Sequence, residues 1–194
     1  MTPSTILTNA ILLELVKKND EVAIATLLDR YKDKFYTAIF LLVKDKYIAE
    51  DLFQEVCIKI ITCIRNGNYN DDGRFLSWTM RICRNLALDY FRANKRKVKV
   101  TLSDGTDIFS VFNFGKEESF EKTMMQEETA HRLRKMLDMI PYDQREVIVL
   151  RMYGDMSFKQ IAEMTSTSVN TALGRMRYGL LHLRKIMDEK GILL

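Results

Sequence analysis

Residues 73–99 read GRFLSWTMRICRNLALDYFRANKRKVK, and this stretch predicts an amphipathic helix. At about 100° per residue, its apolar side chains fall on one face that can pack against a core. That face consists of Phe75, Thr79, Ile82, Cys83, Leu86 and Tyr90. The opposite face is almost purely cationic, with Asp89 as its nearby acid, and consists of Arg74, Ser77, Trp78, Arg81, Arg84, Asn85, Arg92 and Lys95.

A cationic helix face that contains a tryptophan is typical of a surface for single-stranded nucleic acid. The cations follow the phosphate backbone, and the ring offers a surface on which a base can stack. Exposed helix faces more often mix charges, because i,i+4 pairs of opposite sign stabilise a helix. A solvated basic face with a half-buried Trp78 would nevertheless explain this stretch equally well, so both interpretations stay open here.

The composition narrows the class of protein. The chain has 194 residues, of which 47% are apolar and 29% charged, with only 2 prolines and 8 glycines. These values favour an all-helical protein with one large domain or two small ones. The formal net charge of +4 indicates a mild preference for polyanions. The chain has an odd number of cysteines, and all of them lie in apolar patterns: Cys57, Cys63 and Cys83. This predicts reduced core thiols rather than disulfides.

The N-terminal half predicts three helices ahead of the basic one. Apolar spacing over Asn9–Val43 indicates a short helix and a longer one, separated at Asn19–Asp20. A third helix is expected over about Ile48–Ile64, and its outer stripe, taken alone, is typical of solvated surface: Asp51, Gln54, Glu55 and Lys59. The loop 65–73 is rich in Gly, Asn and Asp, and its position places Tyr69 at the mouth of the basic face.

After the basic helix, the pattern predicts a linker over residues 98–116, where no helical stripe persists. An acidic patch at residues 117–121 then opens a helix that Pro141 ends. A further helix is expected over Gln144–Met152, with Gly154 as a left-handed C-terminal cap.

The C-terminal segment predicts a helix-turn-helix. Ser157 and Gln160 fit a capping box for a short helix, residues 165–167 form the turn, and a last helix runs from Ser168 to about Glu189. The expected buried seam of that helix is Val169, Leu173, Met176, Leu180, Leu183 and Met187. Its exposed side would present Thr171 and Arg175 to the major groove, one to a phosphate and the other to a base edge. An ordinary helical hairpin with a basic exterior is the alternative.

Catalytic motifs are missing from the sequence. His131 and His182 have no complete set of metal ligands around them, and no Gly-rich phosphate-binding loop is evident. We therefore expect a protein that is not an enzyme and that holds no metal or cofactor. No signal peptide or membrane-spanning run is evident, so a cytoplasmic protein without membrane insertion is expected.

These residues resemble bacterial RNA polymerase sigma factors of the extracytoplasmic-function (ECF) type, in the sigma-70 family. AEDLFQEVCIKI (49–60) is similar to region 2.2, residues 75–96 to regions 2.3 and 2.4, and residues 140–185 to region 4. The resemblance implies an all-α fold with a region 2 domain over 1–97, a flexible linker over 98–116 and a region 4 helix-turn-helix domain over 117–194.

The resemblance also implies a function: to bind core RNA polymerase, direct it to promoters and help melt the minus-ten region. Asp51, Gln54 and Glu55 would bind the β′ clamp helices, and the β flap would be a further polymerase contact. The minus-ten element and its melted strand would be held by Asn68, Tyr69, Asn70, Arg74, Trp78, Arg81, Arg84, Asn85, Arg92, Lys95 and Arg96. The minus-thirty-five element would be read by Ser168, Asn170, Thr171, Gly174, Arg175, Arg177 and Tyr178. An anti-sigma factor is a further candidate partner.

Two departures from the family pattern affect these expectations. Ala172 and Gly174 stand where many members carry a basic residue and a serine, so a different promoter sequence is expected to be read there. Cys83 replaces a common alanine.

A free-standing regulator with a LuxR-type helix-turn-helix would explain residues 140–185 but leaves the basic helix without a role. A nucleic-acid-processing enzyme would need a carboxylate cluster that the sequence does not show.

Overall fold

The computed structural model describes residues 7–95 and 135–191, and all the regular elements in these two ranges are α-helices. The first unit (residues 7–95) contains α1 (Asn9–Lys17), α2 (Glu21–Val43), α3 (Lys46–Arg65) and α4 (Phe75–Lys95). The second unit (residues 135–191) contains a helical segment at 135–139, α5 (Tyr142–Met152), α6 (Phe158–Thr165) and α7 (Val169–Lys190). The all-α prediction is confirmed. Arg96, the linker 98–116, residues 117–134 of the next expected helix and His131 lie outside the described residues, and the end of that helix is present at 135–139.

Side-chain caps begin the helices at the polar positions that the sequence marks. Asp20 Oδ1 accepts a hydrogen bond from the Ala23 amide at 2.9 Å, which starts α2 directly after the break at Asn19. The predicted capping box of α6 is also present: Ser157 Oγ accepts from the Gln160 amide, and Gln160 Oε1 accepts from the Ser157 amide at 2.8 Å. These bonds satisfy amides that a helix start leaves free, so the helix boundaries follow from local sequence.

In the first unit, α2 packs against α1, α3 and α4. The apolar spacing predicts a buried stripe that includes Ala25, Phe35, Ile39 and Leu42; the last three are buried, whereas Ala25 is exposed. On α4, the predicted apolar face is also buried or half-buried. The cationic side of α4 is therefore free to face outward.

In the second unit, the predicted seam of α7 is only partly buried: Leu183 is 8% exposed, and Met176 and Met187 are half-buried against the core. Val169, Leu173 and Leu180 are exposed by 42%, 44% and 50%, while the side that packs carries Ala172, Gly179 and Leu183. A Cβ at Gly179 would lie 2.8 Å from Ile148 Cδ1, so the small residue lets α5 and α7 approach closely. The packed side of α7 thus combines small residues with part of the predicted seam.

The prediction of a left-handed cap at Gly154 was also wrong. The left-handed residue is Asp155, with φ of 51°. A Cβ at Gly154 would lie 2.7 Å from the Leu150 carbonyl oxygen and 3.0 Å from Met80 Cγ. A side chain at Gly154 would therefore meet both the end of its own helix and Met80 of the first unit.

The two units pack directly on each other. α2 contacts α5, and the buried apolar residues of both units form one continuous cluster. Exposed ion pairs lie at the edge of this contact: Lys34 Nζ is 3.5 Å from Asp155 Oδ2, and Lys44 Nζ is 3.6 Å from Asp138 Oδ1. The arrangement brings the cationic helix α4 close to the helix-turn-helix.

Candidate nucleic-acid interface

The cationic face of α4 is accessible over most of its length. Arg74, Arg81, Asn85 and Arg92 are exposed, and Ser77, Trp78 and Arg84 are half-buried. Arg92 Nη1 lies 3.1 Å from Asp89 Oδ1 in an exposed pair, which leaves the cation available because such pairs are weak. The side chain of Lys95 lies outside the described residues. The structure therefore brings together nearly all the residues that the sequence assigned to this face.

An aromatic stack joins the loop before α4 to the face itself. The rings of Tyr69 and Trp78 are stacked with centroids 4.2 Å apart, and Phe75 lies edge-on to Tyr69 at 5.7 Å. Tyr69 is only 5% exposed, and its hydroxyl donates to Asp71 Oδ1 at 2.9 Å. Burial, with the hydrogen bond to Asp71, raises the pKa of the Tyr69 hydroxyl. The buried ring of Tyr69 thus packs against the ring of Trp78. Asn68 and Asn70 of the same loop are exposed.

An open cavity of about 360 Å³ lies between this loop and the start of α4. Trp78, Arg74 and Arg81 contribute an aromatic ring and two cations to its wall. Arg74 Nε donates to Asp72 Oδ2 at 2.7 Å, and this hydrogen bond lowers the pKa of the Asp72 carboxyl. The remaining wall residues are polar or come from the second unit: Asn68, Tyr69, Asn70, Asp72, Ser77, Met156 and Gln160. Its composition suits a base with its attached phosphate.

Arg84 is held by a buried carboxylate of the second unit. Arg84 Nε donates to Glu146 Oε1 at 2.8 Å, and the side chains are 12% and 3% exposed. The Tyr142 hydroxyl also donates to Glu146 Oε1, at 3.3 Å. No local sequence signal predicts this pair, because Glu146 lies on a helix 62 residues away and within an apolar run.

On the recognition helix α7, the predicted reading residues are mostly exposed. Ser168, Asn170, Thr171, Arg177 and Tyr178 are exposed, and Gly174 has open space around it. Ser168 Oγ caps the helix by accepting from the Thr171 amide at 3.0 Å.

Two residues on this helix depart from expectation. Arg175 Nη2 donates to Asp143 Oδ2 at 2.7 Å, so this arginine is half-buried against α5. Ala172 is fully buried, and it therefore packs in the core instead of reading a base.

The acidic stripe on α3 is exposed at Asp51, Gln54 and Glu55. The structure adds two apolar side chains that the sequence did not single out: Tyr47 is 69% exposed and Ile58 is 65% exposed. Steps of three and four residues place them on the same side of the helix as the acidic stripe. Exposed apolar residues next to a charged stripe are typical of a protein-binding surface.

Among the described residues, no group of three or more His, Cys, Asp or Glu side chains is placed to hold a metal ion. In the same ranges, no helix combines the length and the apolar character that crossing a membrane requires. The cysteines are free thiols, and burial raises the pKa of Cys57 to about 11.

The geometry defines a class of protein: a helical protein with a cationic helix face in one unit and a helix-turn-helix of the DNA-binding type in the other. Two family models match the chain, sigma-70 region 2 over residues 27–97 and sigma-70, region 4 over residues 130–183. Together they cover more than half of it. The chain belongs to the sigma-70 family of RNA polymerase sigma factors, in the ECF group, and its partners are core RNA polymerase and promoter DNA.

Curated relatives match along nearly the whole chain. The ECF RNA polymerase sigma factor SigW of Bacillus subtilis (strain 168) is 28% identical over 180 residues, which are 91% of this chain and 95% of SigW. The ECF RNA polymerase sigma-E factor of Escherichia coli (strain K12) is 28% identical over 190 residues, 95% of this chain and 94% of that protein. Sigma factors are transcription initiation factors. Because the region 2 match accounts for the basic helix, the free-standing regulator is not favoured.

Solved structures confirm the fold. CnrH in complex with the cytosolic domain of CnrY aligns with a TM-score of 0.60 at 20% identity, over 92% of this chain and 96% of CnrH. The sigma factor RpoE of Bartonella quintana, in complex with the anti-sigma factor NepR, aligns with a TM-score of 0.57 at 17% identity, over 91% of this chain and 94% of RpoE.

Proposed function

We propose that the first unit captures the melted strand of the minus-ten element and that α7 reads the minus-thirty-five element. The observation that carries this proposal is the open cavity of about 360 Å³, where the Tyr69–Trp78 stack adjoins Arg74 and Arg81. A flipped base can stack on an aromatic ring, and the arginines can neutralise the adjacent phosphates. Asn68 and Asn70 then supply hydrogen-bonding groups to the edge of the base.

The acidic stripe of α3 is the proposed surface for the β′ clamp helices. Its exposed carboxylates, Asp51 and Glu55, offer charge complementarity to a basic partner. Tyr47 and Ile58 extend this surface with apolar area, which contributes most of the affinity at the centre of an interface. The β flap is the proposed contact for the second unit.

Polymerase binding tests the proposed function directly. We expect Asp51→Arg with Glu55→Arg to abolish association with core RNA polymerase in a pull-down at moderate salt, because like charges then oppose the basic partner. Asp29→Arg with Asp33→Arg is the matched control, since these carboxylates are also exposed and four residues apart, but on α2. Unchanged association of the α3 variant, or an equal loss in both, would remove the proposed role of the stripe.

The remaining assignments follow from the same proposal. The domain boundaries are placed at 1–97 and 117–194, with 98–116 as the linker that passes toward the polymerase channels. The protein acts as a non-catalytic subunit in the cytoplasm, where polymerase works. An anti-sigma factor is the proposed regulator, supported by the RpoE–NepR complex to which the fold is similar.

A further inference from the structure

The first two turns of α7 expose large apolar side chains. Val169 and Leu173 are 42% and 44% exposed. They are four residues apart, so their side chains are neighbours on one side of the helix, and we call this pair the apolar stripe of α7. In a helix-turn-helix, the N-terminal residues of the second helix are the ones that contact base edges. The apolar stripe therefore belongs to the part of α7 that is proposed to enter the major groove.

The packing of α7 against its neighbours keeps the apolar stripe out of the core. Ala172 is fully buried, and a Cβ at Gly179 would lie 2.8 Å from Ile148 Cδ1. Turning the helix to bury Leu173 would bring a side chain larger than glycine to this contact, where there is no room for it. The exposure of Leu173 thus follows from the close approach of α5 and α7.

The same two turns offer little positive charge. Residues 169–175 read VNTALGR and contain one cation, Arg175. Its Nη2 donates to Asp143 Oδ2 at 2.7 Å, and its side chain is only 25% exposed. Asn170 and Thr171, which are exposed beside the apolar stripe, are neutral. The surface of these turns is therefore apolar and neutral rather than cationic.

One group in the major groove is complementary to an apolar side chain. Every base pair presents hydrogen-bonding groups there, and A·T and T·A pairs add the C5-methyl group of thymine. A leucine placed against a G·C pair removes water from amino or carbonyl groups without replacing the hydrogen bonds, which costs free energy. An exposed leucine thus favours thymine through contact and disfavours G·C pairs through desolvation.

We propose that Leu173 reads the C5-methyl group of a thymine in the minus-thirty-five element. Val169 extends the apolar surface beside it. The inference rests on the proposed function of α7 and assigns to that helix a base-contacting residue that is apolar. It also names the base that this residue selects.

Replacement of thymine by deoxyuridine tests the contact, because uracil keeps the hydrogen-bonding groups of thymine and lacks only the methyl group. The complex of the full chain with core RNA polymerase first selects promoters from a duplex library that is randomised across both elements. Each thymine of the selected minus-thirty-five element is then replaced in turn by deoxyuridine, and binding is measured by gel shift. We expect one replacement to weaken binding about fourfold, the equivalent of the ~0.8 kcal/mol for burying one such group.

Two alanine variants assign the effect to Leu173. Leu173→Ala should bind the thymine and deoxyuridine promoters equally, because the side chain that contacts the methyl group is gone. Leu180→Ala is the matched control and should keep the fourfold ratio. Leu180 is also exposed, by 50%, and lies on the same side of α7 about 10 Å further along the helix. The ratio of the two affinities is unaffected by a general loss of polymerase binding, and circular dichroism confirms that each variant folds.

A third variant should change the selected base. Arginine makes bidentate hydrogen bonds to O6 and N7 of guanine in the major groove. In the same selection, we expect Leu173→Arg to enrich a guanine at the position where the wild type enriches the thymine. The exposure of Leu173 leaves room for the longer side chain.

The outcomes separate this inference from the proposed function. A selected minus-thirty-five element that tolerates every deoxyuridine would overturn the reading of the methyl group. A Leu173→Ala variant that keeps the wild-type ratio would do the same. Both results leave the reading of that element by the polar residues of α7 in place. A selection that enriches no sequence at the minus-thirty-five position would overturn this inference and the proposed role of α7 together.

Discussion

At the scale of single residues, Trp78 and Tyr69 differ in how they can contribute to binding a melted base. Tyr69 is buried beneath Trp78 and bonded to Asp71, so its contribution is to hold the indole in place. Trp78 remains half-buried at the edge of the cavity. Stacking on a melted base is therefore expected from Trp78, and orientation from Tyr69.

We expect Trp78→Ala to reduce open-complex formation about tenfold or more, because base–aromatic stacking is worth about 1–3 kcal/mol. Binding to closed duplex promoter by the polymerase complex should fall much less, since α7 contributes there. Permanganate reactivity of minus-ten thymines measures the first quantity, and a gel-shift assay on ice measures the second. Trp78→Phe, which keeps a ring on Tyr69, should retain most of the melting. Equal losses in both assays would indicate that the cationic face of α4 binds DNA through its charge alone, without a specific role for Trp78 in melting.

At the scale of elements, α7 shows how packing overrides the apolar pattern. Counting large apolar residues favours a seam through Leu173 and Leu180, yet Ala172 and Gly179 are among the buried residues of the helix. The close approach of the Ile148 side chain to Gly179 fixes that orientation. Gly174, on the opposite side, meets no neighbouring atom within 4 Å.

The two glycines of α7 should therefore respond oppositely to the same substitution. Gly174→Ala should raise the free energy of unfolding by about 1 kcal/mol, because alanine is the better helix former and space is free. Gly179→Ala should lower it by about 1–3 kcal/mol through overpacking against Ile148. Urea unfolding followed by circular dichroism measures both. A Gly179→Ala protein as stable as Gly174→Ala would place the α5–α7 contact elsewhere.

At the scale of the whole molecule, the continuous core couples the two units. Apolar residues of α2 and α5 belong to one buried cluster, and the Arg84–Glu146 pair lies within the contact. Units that share a core unfold together, whereas units joined only by a chain unfold separately. This contact should therefore set the cooperativity of unfolding.

Differential scanning calorimetry of the wild type should show one transition, because opening the contact exposes core residues of both units. Raising the salt concentration should change this little, since a buried pair is screened much less than an exposed one. Arg84→Gln should split the trace into two transitions. Two resolved transitions in the wild type would contradict the coupling of the units.

The sequence predicted the helices of the described ranges within a few residues, because caps and apolar spacing are local signals. The α6 capping box and the Asp20 cap are examples. It also predicted the cationic face of α4, since a helix places those residues together whatever surrounds it. The roles assigned to individual residues of this face and of α7 stay predictions, which the experiments above address.

By itself, the sequence determined the helices, the cationic face and, through its resemblance, the family. Only the tertiary structure decided the contact of Gly179 with Ile148, the approach of Met80 to Gly154 and the pairing of Arg84 with Glu146. Each of these depends on atoms that are far apart along the chain and close in space, at distances of about 3 Å. Local periodicity carries no information on such contacts, because it records which side of a helix is apolar and not what that side meets.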